Sequence, residues 1–329
     1  MPKIVRFHRT GGPEVLQLDD VPPAEPGPGE VRLKVEAIGL NRAECMFRQG
    51  HYLEAPQLPS RLGYEAAGVI EAIGPEVSGF KVGERVSTIP CFPIGRYGVY
   101  GEWAIVPAYA LARYPETLTP VEGAAIWMQY LTAYGALILY GRLQRGHTLL
   151  ITAATSSVGL AAIQIANREG AVPIAVTRKA GKKDFLFGAG AAHVIAMEEE
   201  SLVDRVMALT NGTGVHMVFD PVAGPLLVQL AEASAQHGII FEYGALSPDP
   251  TPFPLFPALA KGLTFRGYTL FEFVREPDTL EKAKAYIHEG LKKGTLKPVI
   301  DRIFLLSQIV EAHRYMESNQ QKGKIVVTV

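Results

Sequence analysis

From Leu149 to Gly159 the chain reads Leu-Leu-Ile-Thr-Ala-Ala-Thr-Ser-Ser-Val-Gly, and apolar residues then recur at helical spacing through Ala166. An apolar run that passes across very small residues into a helical pattern reads as a buried parallel strand turning sharply into a helix. The first amides of such a helix point into the turn, and the helix dipole favours negative charge there, so the place suits a phosphate. Against the template G-x-G-x-x-G the three positions are Ala154, Ser156 and Gly159. Alanine and serine still permit close backbone approach, and the Ser156 and Ser157 hydroxyls, flanking Val158, can add bonds to a pyrophosphate. An ordinary strand–helix turn without a ligand uses the same residue types, so the turn alone does not decide the matter.

The end of the next strand separates the possible cofactors. A site for NAD commonly carries an Asp or Glu about 20 residues beyond the glycines, where it binds the ribose 2′-hydroxyl. Here Thr177-Arg178-Lys179 takes that place, followed by Lys182 and Lys183, and no carboxylate occurs between Gly170 and Asp184. Cations at that distance from a phosphate-type turn fit a 2′-phosphate, for which arginine offers a planar fork of donors. A solvated basic loop would show the same charges; following the turn, they favour NADPH. Tyr243, at the end of a later strand, joins the expected cofactor-binding set.

These segments need a scaffold, and the chain is long enough for two domains. Among its 329 residues, 32 basic and 33 acidic side chains leave a formal net charge of −1, without the electrostatic footprint of a nucleic-acid binder. Two cysteines, Cys45 and Cys91, exclude a disulfide framework and a cysteine-rich zinc lobe. Lys3, Arg6, His8 and Arg9 break any apolar signal-peptide core, and no apolar stretch is long enough to span a bilayer. A soluble protein of a reducing, cytoplasmic compartment is the expectation.

From Met1 to about Glu122 short strands alternate with Gly/Pro punctuation, as in Val31–Ile38, Gly68–Ile73 and Glu102–Val106. From 123 to 270 strands alternate with helices: a helix over Ala124–Leu139, then strands near 149–151, 172–176, 192–195, 215–219 and 238–243. Ser201 and Asp204 resemble a capping box opening a helix to Leu209. Repeated β–α units with apolar strands imply a doubly wound parallel sheet. A helix near Thr279–Lys292 and a closing strand, Lys324–Val329, complete the chain. That strand is expected to return to the first domain, so residues 123–270 form a dinucleotide-binding insert between 1–122 and 271–329.

Taken in order, the segments resemble the zinc-free, quinone oxidoreductase-like branch of the medium-chain dehydrogenase/reductase superfamily across essentially the whole chain. The matching pieces are Gly39-Leu40-Asn41-Arg42-Ala43-Glu44, Leu62–Val69 with Gly63-Tyr64-Glu65, Val82–Val86, Tyr100–Ala104 and Leu131–Leu137. The small-residue turn, Phe219–Gly224 and Gly323-Lys324-Ile325-Val326 continue the series. The resemblance implies a Rossmann sheet inserted into a GroES-like β-rich catalytic domain, with the active site in the cleft between domains. It also implies a homodimer paired through the edges of the nucleotide-binding sheets.

Departures from the zinc-dependent members matter most. Those carry a cysteine where Asn41 stands and a histidine where Tyr64 stands; amide and phenol are poor replacements for thiolate and imidazole. Glu65 alone cannot hold a metal, and His51, His147 and His216 show no ligand spacing, so no metal is expected. Without a Lewis acid, hydride delivery suits acceptors that delocalise charge themselves, namely quinones and α,β-unsaturated carbonyls. Tyr52 resembles the cleft tyrosine of related reductases, where a phenol can donate a proton, or it lines the pocket as an aromatic wall. Tyr64 either bonds substrate or packs. Asn41 resembles the residue beside the nicotinamide ribose or substrate, and Thr132 one at the nicotinamide end. Phe92, Tyr97, Tyr100, Trp127, Tyr130, Phe271 and Phe273 are candidates to wall a flat apolar pocket. The leading expectation is an NADPH-dependent reductase of small quinones, enones or alkenals. Enoyl-thioester reduction and a crystallin-like NADPH-binding role with little turnover are the alternatives.

Overall fold

A computed structural model describes residues 1–329. The chain divides into two compact units, one formed by Met1–Gln129 with Pro298–Val329 and the other by Tyr130–Lys297. The divisions drawn from sequence, 122/123 and 270/271, fall earlier at both places. The helix Pro277–Lys293 accounts for most of the second difference, because it packs within the second unit. Arg168 donates to the Tyr286 carbonyl at 2.8 Å, and its guanidinium lies 3.8 Å above the Tyr286 ring. No helix is long and apolar enough to cross a membrane.

In the first unit a seven-stranded sheet is organised around Glu30–Gly39. Val31, Leu33, Val35 and Ala37 of that strand are buried, while Lys34 between them is exposed and Arg32 and Glu36 are half-buried, in keeping with period-two alternation. It pairs antiparallel with Glu65–Ile73 and Trp103–Pro107. The closing strand Lys324–Thr328 returns to it as expected, with Val326 opposite Gly39 and Thr328 opposite Ala37. A helix that the sequence reading did not draw, Arg42–Gln49, follows directly. Its signal was the capping-box spacing Asn41-Arg42-Ala43-Glu44, of which one half forms: Glu44 accepts the Asn41 amide at 2.6 Å, while the Glu44 amide donates to the Asn41 backbone carbonyl at 3.1 Å.

In the second unit six parallel strands lie in the order His193–Ala196, Val172–Thr177, Thr148–Ile151, Val215–Asp220, Ser234–Glu242 and Thr264–Gly267. The strand order reverses between Thr148–Ile151 and Val215–Asp220, which is where doubly wound sheets bind ligands, beyond the carboxyl ends of the strands. The sixth strand was not legible: Thr264-Phe265-Arg266-Gly267 is short, forms the sheet edge and has no apolar run. The helix expected over 124–139 is an α-helix Trp127–Tyr134 continued by a π-helical stretch Gly135–Tyr140, and a separate short helix, Pro120–Gly123, precedes it. At Gly135 an added Cβ would lie 2.1 Å from the Tyr268 hydroxyl, so the change in winding coincides with a close tertiary approach. The Ser201 hydroxyl does cap its helix, accepting from the Asp204 amide at 3.3 Å.

Helix Arg42–Gln49 is fastened from inside. Arg48, fully buried, donates to the Gly11 carbonyl at 3.1 Å, to Glu317, and to His313 Nδ1 at 2.9 Å. Arginine can only donate, so Nδ1 is the acceptor and Nε2 carries the imidazole proton. Burial, reinforced by the Arg48 charge, pushes His313 down to about 3. The unfolded chain takes up that proton near 6.5 and the folded chain does not. The contribution to stability is therefore complete above pH 6.5 and is lost as pH falls from there toward 3. We predict that His313→Gln, which keeps an acceptor, flattens the fall in thermal midpoint between pH 6.5 and 4.5. Parallel curves for the two proteins would refute a buried neutral imidazole.

Candidate functional site

The small-residue turn has the form expected of it. Thr148–Ile151 ends in buried Thr152, Ala153 adopts a left-handed φ of 44°, and Ser156 caps the helix Ser157–Glu169 by accepting the Gly159 amide at 3.1 Å. Such a cap stabilises a helix by about 1 kcal/mol. The first intrahelical bond is Leu160 to Ser156 at 2.9 Å, which leaves the Ser157 and Val158 amides at the open end of the helix. Only Gly159 of the three template positions is compelled by space. A Cβ there would lie 2.7 Å from both Cα and carbonyl oxygen of Ala154, so helix and turn meet backbone to backbone.

Thr177, at the end of the neighbouring strand, is buried, and Arg178 and Lys179 beyond it are exposed. Lys182 reaches back to the turn, its Nζ donating to the Thr155 hydroxyl at 3.1 Å. Lys183, counted with these cations in the sequence, is directed elsewhere, pairing with Glu199 at 3.3 Å and Glu200 at 3.2 Å. Lys182, rather than the whole run, thus carries charge to the turn. Thr132 sits buried in the helix Trp127–Tyr134. Tyr243 follows the strand Ser234–Glu242 and stacks on Phe219, with ring centroids 4.0 Å apart.

Two carboxyl groups beside the turn escaped the sequence reading. Asp220 and Glu242 are register partners on adjacent parallel strands. Asp220 accepts from the Thr152 hydroxyl, from the Val222 amide at 3.1 Å and from the Ala223 amide at 2.7 Å. Glu242 has only Asp220 to bond, and burial together with the Asp220 charge pushes it up to about 9. Burial raises Asp220 as well, but its three donors oppose that and none opposes it at Glu242, so a proton shared by the pair is favoured on Glu242 and the negative charge on Asp220, which pins Thr152 and with it the start of the turn.

The first unit assembles a second set around Asn41, which is 8% exposed. Its Nδ2 lies 3.1 Å from the Gly39 carbonyl, 3.1 Å from Glu65 and 3.2 Å from Glu44, and its Oδ1 accepts from Lys324 Nζ at 2.6 Å. Glu65 also bonds Lys324 and accepts the Met128 amide at 2.8 Å. Glu44 accepts the Tyr64 amide at 3.1 Å and the Tyr100 hydroxyl at 2.6 Å. Burial outweighs these donors and pushes Glu44 up to about 7. Glu44 and Lys324 were not singled out from sequence as site residues, and Tyr100 was read only as a wall of the pocket; the capping-box spacing would have flagged Glu44, whereas no local pattern marks the buried polar roles of the other two.

Tyr64 is buried and Tyr52 is half-buried, and a hydrogen bond joins their hydroxyls. Burial raises both phenols, Tyr52 to about 12, so each is a neutral donor across the physiological range. Their rings meet at 6.5 Å, and a chain of ring contacts continues through Phe92 at 5.8 Å to Tyr97 at 6.2 Å. Tyr100 and Trp127 are core instead, with the Trp127 indole donating to Ser87 at 2.8 Å. No three His, Cys, Asp or Glu side chains converge in a way that could hold a metal ion. His147 and His216 lie ring on ring at 4.7 Å.

Comparison with known proteins places a family match in each unit. The family described as alcohol dehydrogenase GroES-like domain matches residues 27–116, and that described as zinc-binding dehydrogenase matches residues 157–285. The chain is 33% identical over 328 residues to a quinone oxidoreductase of Pseudomonas aeruginosa, covering 99% of each. The Escherichia coli quinone oxidoreductase complexed with NADPH superposes with a TM-score of 0.92 at 28% identity, covering 99% of this chain and 100% of that one. A 2-haloacrylate reductase superposes with a TM-score of 0.86 at 27% identity, covering 100% and 99%. The GroES-like and Rossmann-type folds, the order of motifs and the full-length identity together establish that the chain belongs to the quinone oxidoreductase branch of the medium-chain dehydrogenase/reductase superfamily.

Proposed function

We propose that this protein is an NADPH-dependent, zinc-independent reductase of quinones and α,β-unsaturated carbonyl compounds. The observation that carries the reading is a substitution of chemistry. The strand–turn–helix for a dinucleotide is intact, while positions 41 and 64 hold an amide and a phenol, and Glu65 is already engaged by the Lys324 ammonium. The E. coli relative is named as a complex with NADPH, and a further relative as a reductase of 2-haloacrylate, a conjugated acid. Both names are in keeping with hydride transfer to an acceptor that spreads its own negative charge.

Bound NADPH would supply the hydride. The open amides of Ser157 and Val158 would hold the pyrophosphate, with Ala154 and Gly159 permitting the approach and Thr132 and Asn41 at the nicotinamide end. Arg178 and Lys182 would take the 2′-phosphate, beside Thr177, with Tyr243 against the cofactor. Addition of a hydride gives the acceptor two electrons and leaves negative charge on its conjugated oxygen. The Tyr52 hydroxyl donates a hydrogen bond to that oxygen and can pass it a proton. Tyr64, bonded to the Tyr52 oxygen, keeps the donor aimed and eases release of its proton, while burial holds it neutral until then.

An assay of NADPH against NADH with quinones, enones and aldehydes, with and without chelator, tests this directly. Turnover should prefer NADPH, favour conjugated acceptors and ignore the chelator; chelator-sensitive alcohol oxidation would sink the zinc-independent reading. Replacing Arg178 and Lys182 together by alanine should raise the KM for NADPH about 10- to 100-fold, as loss of charge-assisted bonds implies, and scarcely alter NADH. Equal losses for both would remove the 2′-phosphate role. Tyr52→Phe should lower kcat about 100-fold while NADPH binding is kept; an unchanged kcat would reduce Tyr52 to a wall of the pocket.

The proposed homodimer rests on the outer edge of the parallel sheet. Thr264–Gly267 is an edge strand, and Phe256 and Leu259 in the helix before it are 80% and 71% exposed. Phe253 and Leu255 are exposed nearby. An open strand edge beside exposed apolar side chains is suited to a second copy. Light scattering should report a dimer for the unaltered chain and a monomer for Phe256→Lys with Leu259→Lys. A monomer from the outset would end the proposal.

A further inference from the structure

We propose that Lys324 is a positioning residue for the cofactor end of the site: it locks the Asn41 amide so that Asn41 presents one acceptor lone pair and no donor. The inference rests on the reading above that Asn41 meets NADPH, and it adds a residue and a polarity to it.

The argument is a count of hydrogen-bonding positions. An asparagine side chain has two N–H donors and two carbonyl lone pairs. Three acceptors stand within 3.2 Å of Nδ2, namely Gly39 O, Glu65 Oε2 and Glu44 Oε1, so both donors are spent inside the protein. Lys324 Nζ takes one lone pair of Oδ1 at 2.6 Å. Lysine can only donate, which fixes which end of the amide is oxygen. One lone pair remains, and it suits a hydroxyl or carboxamide N–H of the cofactor rather than the oxygen of an acceptor substrate. That assigns activation of the substrate oxygen to Tyr52 alone.

The ammonium is delivered by construction. Lys324 opens the closing strand, its amide bonded to the Val299 carbonyl at 2.8 Å, and its side chain is buried alongside Gly39. A Cβ at Gly39 would lie 2.8 Å from Lys324 Cε and 1.9 Å from the Ala124 carbonyl oxygen, so the path of the lysine depends on a residue with no side chain. Glu65 balances the charge and shares Asn41 with it. Nothing on this path reaches solvent, and its one polar outlet is Asn41.

The test is a double-mutant cycle on NADPH affinity, read by fluorescence titration alongside thermal midpoints. Lys324→Met and Asn41→Ala should each weaken NADPH about tenfold, and the double variant should be no weaker than Asn41→Ala alone, because Lys324 acts only through Asn41. Losses that multiply to about a hundredfold, or a lowered midpoint with unchanged affinity, would overturn the assignment. If Lys324→Met does not fold, Lys324→Met with Glu65→Leu removes both buried charges; it should fold and show the same tenfold loss, and unchanged affinity would again overturn it. Failure of the unaltered chain to bind NADPH would instead overturn the functional reading on which this one stands.

Discussion

Two carboxylates and one ammonium buried within a few ångströms of each other form the constraint around which the first unit is built. Stranding one member of such a buried pair costs roughly 3–5 kcal/mol, so Glu44, Glu65 and Lys324 are tolerable only with every partner in place. The partners come from far apart in the chain: a helix start at Asn41, the strand that begins at Glu65, the Tyr100 hydroxyl, the Met128 amide and the closing strand. The return of residues 324–328 to the strand Glu30–Gly39 is what brings the ammonium to the carboxylates. A chain that left out this last strand would bury Glu44 and Glu65 with amide and phenol donors but no cation.

The second unit solves the same problem by another route. Asp220 and Glu242 face each other with no cation between them, and a shared proton takes the place of the ammonium. Three donors at Asp220 keep the negative charge there, and Glu242 holds the proton. The outcome resembles that of the first unit. A buried carboxylate fixes a neighbouring hydroxyl or amide, and that group belongs to a segment expected to meet the cofactor: Thr152 at the turn in one unit, Asn41 in the other. Rigid placement of polar groups around a cofactor is gained by burying acids and satisfying them fully.

How much of this was legible in the sequence depended on whether the signal was local. The doubly wound sheet was, because apolar runs, small-residue turns and helix caps recur within short windows: Ser201 caps its helix as its spacing implied, and Gly159 stands at the close approach of helix and turn. The sheet's sixth strand was not, because Thr264–Gly267 lies at an edge where hydrophobic patterning is weak. Lys183 misled, since its partners Glu199 and Glu200 lie a strand away. The acidic pair at 220 and 242 and the lysine at 324 are single charged residues within apolar strands. They become meaningful only when register sets them beside a partner, which a one-dimensional reading does not supply.

The same geometry bears on which acceptors can be reduced. A cation adjacent to a reacting oxygen lowers the barrier by taking up charge, but the Lys324 ammonium is neutralised by Glu65 and committed to Asn41. It has no field to lend to a carbonyl. In the proposed reaction the remaining electrophilic help is one neutral phenol, Tyr52, raised to about 12 and supported by a second phenol behind it. A hydrogen bond of that kind suffices when the incoming electron pair is spread over a ring or an enone, and is weak help for an isolated carbonyl, whose oxygen must carry the whole charge. The proposed preference for conjugated acceptors thus follows from the commitment of the Lys324 charge to Glu65 and Asn41.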